Sequence, residues 1–243
     1  MNQTKQTMPE QVFSTDTVFC QSLVKAGYLT LEQMLRAAQR YKLGKSKDGG
    51  VIFWEIDEQQ NVRDGKIMYY HDDCHRDHER HPDWVSARLK AYYNYTEDLP
   101  VDRCLFGLHL ISPSEFLDEP TGKAERGGAD RGLNKHTIGI VESEKTAVIC
   151  SELFPEAVWL ASGGLSMLNA AKLYPLRDYK IVLFPDTDPD GKAYQLWKSI
   201  AATAQDQFKY PIRVSTLLEQ HATLTQKAAK IDLVDFLYSP VYD

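Results

Sequence analysis

The rhythm of apolar positions changes twice along the 243-residue chain. From about Val18 to Tyr41 it is helical, through Leu23, Gly27, Leu31, Leu35 and Ala38, with Thr30 placed to cap LEQMLRAAQRY. Lys42 to Gly50 reads as a turn. VIFWEID (51–57) then predicts a buried strand, EQQNVRDG a polar turn, and KIMYY (66–70) a second strand, which together make a hairpin. Asp83 and Trp84 open a short amphipathic helix to Tyr92. The first ten or so residues read as a loose tail.

Residues 112–136 break the pattern with Pro113, Pro120, Gly122, Gly127, Gly128 and Gly132. They predict a linker, and with it a smaller α+β subdomain over 1–136 and a second domain over 137–243. After Lys135 the strands become apolar throughout: TIGIV (137–141), AVWLA (157–161), KIVLF (180–184) and IRVST (212–216). Helical stretches alternate with them at Glu144–Leu153, Leu165–Tyr174 and Gly191–Phe208. Strands without a polar face, alternating with helices, predict an α/β domain whose four-stranded parallel sheet is covered on both sides.

Composition adds bounds. Hydrophobic residues at 43% and charged residues at 26% suit a globular chain, not a disordered tail or a fibre. The net charge of −6 argues against coating nucleic acid by bulk charge. The charge is uneven, however: residues 1–50 carry +3, with Arg36, Arg40, Lys42, Lys45 and Lys47 as the candidate nucleic-acid patch. A solvated helix face beside a lysine-rich turn explains the same residues equally well.

The four cysteines, Cys20, Cys74, Cys104 and Cys150, form no C-x-x-C pair, which speaks against zinc and for free thiols in a reducing cytoplasm. The polar start MNQTKQTMPEQ has no signal-peptide core, and no apolar run nears the ~20 residues that span a bilayer. No membrane association is expected. HDDCHRDHERHPD (71–83) packs four histidines and a cysteine together, but its spacing matches no zinc pattern and it reads as a surface loop. Thr121-Gly122-Lys123 is not a phosphate-binding loop, because the upstream glycine is missing and Ala124 stands where Ser or Thr belongs.

Chemistry in open α/β sheets gathers at the carboxyl ends of the strands. Here those ends read Glu142 in VESEK, then Gly163 and Gly164 in ASGG, then Asp186, Asp188 and Asp190 in FPDTDPDG. Carboxylates on one rim repel one another unless a divalent cation neutralises them, and Mg²⁺ takes oxygen donors of this kind. Each motif alone also has a plain reading, since Asp-x-Asp after a strand often caps the next helix.

Residues 137–237 resemble the Toprim domain shared by bacterial primases, topoisomerases and some nucleases. Glu142 stands at that family's glutamate, Ser162-Gly163-Gly164 resembles its glycine turn, and Asp186, Asp188 and Gly191 match its Asp-x-Asp-x-x-Gly. IDLVDFL (231–237) resembles the Asp-x-x-Asp-(Tyr/Phe)-Leu segment of primase-type members, at Asp232 and Asp235. Ser143 and Thr146 depart from the pattern, standing where glycine and, in many members, aspartate occur. Upstream, LVKAGYLTLEQM, YKLG and the hairpin resemble the small N-terminal subdomain of primase cores. The whole chain is similar to primase-like Toprim proteins of Bacteroides-type mobile elements.

The resemblance implies Mg²⁺- or Mn²⁺-dependent phosphodiester chemistry on nucleic acid. Glu142, Asp186 and Asp188 would be catalytic and metal-binding, with Asp190 a further ligand; Lys145 and Lys192 would meet phosphates. Three readings stay open. The first is primase-like nucleotidyl transfer on single-stranded DNA, with a separate helicase or zinc-binding replication protein supplying what the chain lacks. The second is a nuclease using the same carboxylates, and the third a non-catalytic replication accessory that binds nucleic acid.

Overall fold

The computed structural model describes residues 13–99, 101–111 and 137–239. The expected linker and Thr121-Gly122-Lys123 lie outside these residues, as does most of the expected tail.

The expected helical stretch from Val18 to Tyr41 is two helices, α1 (Val18–Lys25) and α2 (Leu31–Arg40). Gly27 breaks it: φ of +79° costs a glycine little, and it turns the chain so that the Tyr28 and Leu29 N–H groups both reach Leu23 O. Thr30 then caps α2, accepting from Gln33 N–H while the Gln33 side chain accepts from Thr30 N–H.

An antiparallel sheet follows in the order β1 (Gly44–Lys45), β2 (Val51–Ile56), β3 (Val62–Met68) and β4 (Asp83–Trp84). Three expectations shift here. The 42–50 turn contains β1, which pairs with β2. The second hairpin strand starts at Val62, because Asp57 closes a tighter turn by accepting from Gln59 and Asn61 N–H. Asp83 and Trp84 form an edge strand on β3 before α3 (Val85–Tyr92) begins.

β2 is buried on both faces. Val51 and Phe53 face one side, while Ile52 and Trp54 pack with Ile67, Tyr69 and Val85 on the other. Glu55 shares the Phe53 face, is buried, and sits opposite Asp64. Asp64 is satisfied by Arg103, Ser86 and Gly65 N–H. Glu55 Oε2, by contrast, meets no donor among the described residues. Burial above all, then Asp64 and Glu144, pushes the Glu55 carboxyl up to about 8, against the pull of Lys172.

The second sheet is wholly parallel, in the order β6-β5-β7-β8: β5 (Thr137–Val141), β6 (Ala157–Ala161), β7 (Lys180–Phe184) and β8 (Ile212–Val214). α4 (Glu144–Leu153) joins β5 to β6, and α6 (Lys192–Phe208) joins β7 to β8. The expected helix over Leu165–Tyr174 is broken. Asn169 leaves helical geometry to cap the four-residue α5 (Ala170–Leu173), and Pro175 follows within a 3-10 turn. Three short helices follow β8 among the described residues: α7 (Leu217–His221), α8 (Leu224–Ala229) and α9 (Leu233–Tyr238).

One face of the parallel sheet packs Ile140, Leu160 and Leu183 on Leu173, Trp197 and Ala201. The other packs Val141, Trp159 and Ala161 on Val148 and Val234, and this core runs on without a break to Phe19, Leu23, Tyr41 and Phe53. The two sheets therefore share a core, and Tyr41 ties them further by donating to Trp159 O at 2.7 Å. No helix of the described residues is long and apolar enough to cross a membrane.

Candidate functional site

The strand order fixes where a site belongs. β5 is followed on one side by β6, after which the chain crosses back to lay β7 on the other side. The carboxyl ends of β5 and β7 thus flank the switch point, where such sheets open a crevice. Glu142 is the first residue after β5, and Asp186 the second after β7.

Glu142 is buried, and its Oε1 accepts from Asp186 N–H at 3.1 Å. Burial, then the charges of Asp188 and Asp232, push the Glu142 carboxyl up to about 6, although the Asp186 N–H pulls the other way. Asp186 is raised well above the usual carboxylate range, first by burial and then by Glu142. Two acids held this way call for a proton or a cation.

The other acids of the rim are committed. Asp188 caps α6: its Oδ1 accepts from Asp190 and Lys192 N–H, and its Oδ2 from Ala193 N–H at 2.6 Å. Burial pulls its carboxyl up, but these three donors outweigh it and hold Asp188 below its usual range. Asp190 pairs with Lys192 at 2.5 Å, both exposed. Asp232 is buried at the cap of α9, accepting from Asp235 N–H and from the Thr146 hydroxyl. An aspartate at 146 would instead set two carboxylates face to face. Ser143 occupies the N-cap of α4 without a side-chain cap bond.

Two openings meet at this rim. One, of about 460 Å³, is lined by Glu142, Asp186, Asp188, Asp190, Lys192 and Lys230. The other, of about 240 Å³, lies between the two sheets and brings Lys66, Arg76 and Lys145 to the opposite side of Glu142 and Asp186. Lys145 stands 3.8 Å from Asp235. Burial opposes its charge, yet Asp232 and Asp235 prevail and raise its pKa. Gly163 has φ of +89°, and its carbonyl accepts from Lys66 Nζ at 2.7 Å; Gly164 follows in the same turn.

The basic patch expected near the N-terminus does not reach the rim. Arg36 and Arg40 pair with Glu152, at 2.8 and 2.9 Å. Glu152 lies eight residues along α4 from Glu144, which is about 12 Å at the rise of a helix. Lys42 donates to Gln60, Lys45 pairs with Asp16, and Lys47 lies over the Tyr92 ring. Acids on other elements engage Arg36, Arg40 and Lys45, while Lys42 and Lys47 meet an amide and an aromatic ring.

A family model described as a domain of unknown function, DUF6371, matches residues 17–119 and 131–187, more than half of the chain. The chain belongs to the DUF6371 family. Comparisons with curated proteins and with solved structures gave no match. The DUF6371 match takes in Lys66, Arg76, Glu142, Lys145 and Asp186, and ends one residue before Asp188.

A divalent cation is what the resemblance implies for this rim, and the donors can be tested against it. Among the described residues of the DUF6371 chain, no three His, Cys, Asp or Glu side chains stand close enough to cage an ion. The expected set of Glu142, Asp186, Asp188 and Asp190 does not assemble, because Asp188 is spent on α6 and Asp190 on Lys192. Glu142 and Asp186 remain. Mg²⁺ needs only one or two carboxylates when phosphate and water complete its shell, so this pair fits it.

Sequence reasoning missed Lys66 and Arg76. Lys66 was legible in principle: period-two alternation from Met68 and Tyr70 puts it on the face turned to the parallel sheet. Its Nζ bonds both Glu144 oxygens and Gly163 O, and the side chains of the Lys66–Glu144 pair are only 12% and 5% exposed. This pair clips β3 to α4 and to the glycine turn. Lys66→Met leaves Glu144 buried without its cation, and is expected to cost about 3 kcal/mol in urea unfolding. A loss below ~1 kcal/mol would mean that the clip carries no weight.

Proposed function

We propose that this chain is a Toprim-type, primase-like nucleotidyltransferase that joins nucleotides on a single-stranded DNA template with Mg²⁺ or Mn²⁺. The observation that carries this reading is the crowded pair of buried Glu142 and half-buried Asp186 at the switch point of a parallel sheet. A divalent ion would supply positive charge there to offset what builds up on the reacting phosphate. Glu142 and Asp186 would hold it.

Glu142 has a second role. Its Oε1 is engaged by Asp186 N–H, which leaves Oε2 to take a proton. Burial raises the Glu142 carboxyl to about 6 in the ion-free protein, and a carboxylate beside the reacting hydroxyl can receive its proton. The 3′-hydroxyl oxygen then bonds to the α-phosphorus, its proton passes to Glu142, and the bond to the departing pyrophosphate breaks. Asp188 sets the start of α6 beside the cleft. Replication of a mobile element in the cytoplasm, with a helicase and a zinc-binding protein as partners, is the setting that accompanies this reading.

The test is incubation with single-stranded DNA, Mg²⁺ or Mn²⁺ and labelled nucleotides. Labelled products longer than one nucleotide are expected. Shortened DNA replaces this reading with the nuclease, in which water stands in for the 3′-hydroxyl. No product of either kind, with Asp186→Ala binding DNA as wild type does, replaces it with the non-catalytic accessory.

A further inference from the structure

The histidine-rich stretch, dismissed above as a zinc site, presents a cation to the cleft. The turn at 71–77 is held firmly. Cys74 is buried in the shared core, His71 N–H donates to His75 O, Asp77 N–H donates to Tyr69 O, and Arg76 bridges Tyr70. The turn's own acids are occupied elsewhere: Asp72 pairs with Lys25 at 2.5 Å, Asp73 accepts from His75 N–H, and Asp77 accepts from Glu79 N–H. Arg76 has no carboxylate within ion-pair distance among the described residues, although four acids, Asp72, Asp73, Asp77 and Glu79, lie within four positions of it.

Its surroundings say what would engage it. Arg76 lines the 240 Å³ opening together with Glu142 and Asp186, while the other two cations there are taken, Lys66 by Glu144 and Lys145 by Asp235. With the adjoining 460 Å³ opening, which shares Glu142 and Asp186, the space falls within the range of small-molecule sites, about 300–1,000 Å³. A guanidinium presents a planar fork of donors that matches two phosphate oxygens at once. A carboxylate ligand would be repelled by the acids opposite. A phosphate escorted by a cation would not.

We propose that Arg76 is a phosphate-binding residue of this cleft, gripping a phosphate of the nucleotide or strand whose reacting end lies at Glu142 and Asp186. This rests on the nucleotidyltransferase reading for its ligand class. The 71–77 turn is then an arm, its backbone held by these bonds, that brings an unpaired guanidinium to the opening lined by the acidic pair.

The experiment is equilibrium binding, with Mg²⁺ present, of ATP and of a labelled single-stranded oligonucleotide to the full chain. Wild type is compared with Arg76→Gln, Arg76→Lys and, as a control, Arg80→Gln, whose guanidinium is already stacked on Tyr69. Arg76→Gln is expected to weaken at least one ligand roughly tenfold or more, the value of a hydrogen bond to a charged group. If the oligonucleotide is the ligand, its salt slope should fall by about 0.7. Arg76→Lys should recover part of the loss, Arg80→Gln should bind as wild type, and the melting temperature of Arg76→Gln should not move.

Equal binding by Arg76→Gln and wild type overturns the assignment and leaves the proposed chemistry standing. Wild type that binds neither ligand overturns both. A loss confined to the Arg76 variants, in a protein that makes no primer, upholds the phosphate site and overturns the catalytic reading.

Discussion

Asparagine in place of Asp186 is expected to abolish cation-dependent nucleotide joining while making the metal-free protein more stable. The first effect follows if the ion's neutralisation of phosphate charge is worth several kcal/mol, since each 1.36 kcal/mol is tenfold; a fall of roughly a thousandfold is expected. The second follows from burial and from Glu142. Both raise the folded-state pKa of Asp186, so its contribution to stability is present at low pH and lost as the pH rises. Asparagine never ionises and escapes that loss. Primer assays should go silent, melting at pH 8 without cation should rise, and the further rise that Mg²⁺ gives wild type should vanish. A variant that still joins nucleotides, or that Mg²⁺ still stabilises, would remove Asp186 from the site.

Glu55→Gln is expected to give the largest gain in stability. Glu55 is buried on β2, has an oxygen without a donor, and holds its proton up to about 8. The sign is fixed by that raised value. Below about pH 4.5 the acid is neutral in both states; from there to about 8 the unfolded chain releases the proton and the folded protein does not, so wild type loses stability across this window. Glutamine has no such slope, and its amide faces the Asp64 carboxylate across the ladder. The gain should be small at pH 4.5 and on the order of 4 kcal/mol at pH 9. Urea unfolding at the two pH values measures it. Parallel pH profiles for the two proteins would show that Glu55 finds a partner.

The parallel half was legible because its strands lie between two layers and so carry no polar face; β5, β6 and β7 fall on the expected residues. Where expectations failed, a local preference overrode the periodicity. Gly27 split one helix into two, and Asn169 and Pro175 broke another. The order of residues along the rim was also readable. What each carboxylate does was not, since Asp188 as a ligand and Asp188 as a cap have the same sequence, and only the three N–H donors of α6 distinguish them. The partners of the basic stretch were hidden for a related reason: Glu152, which binds Arg36 and Arg40, is more than a hundred residues away. Arg76 could not be singled out because its lack of a carboxylate partner depends on where four nearby acids turn.

The shared core has a consequence for how this protein can be divided. Val148, Trp159 and Val234 cover the same apolar seam as Phe19, Leu23 and Phe53. Cut away on its own, the parallel half would bare that seam to water, and so would the antiparallel half. Each would be a sticky fragment and not a portable module. The acidic pair belongs to one half and Arg76 to the other, so the seam that joins the halves also sets the width of the gap between them.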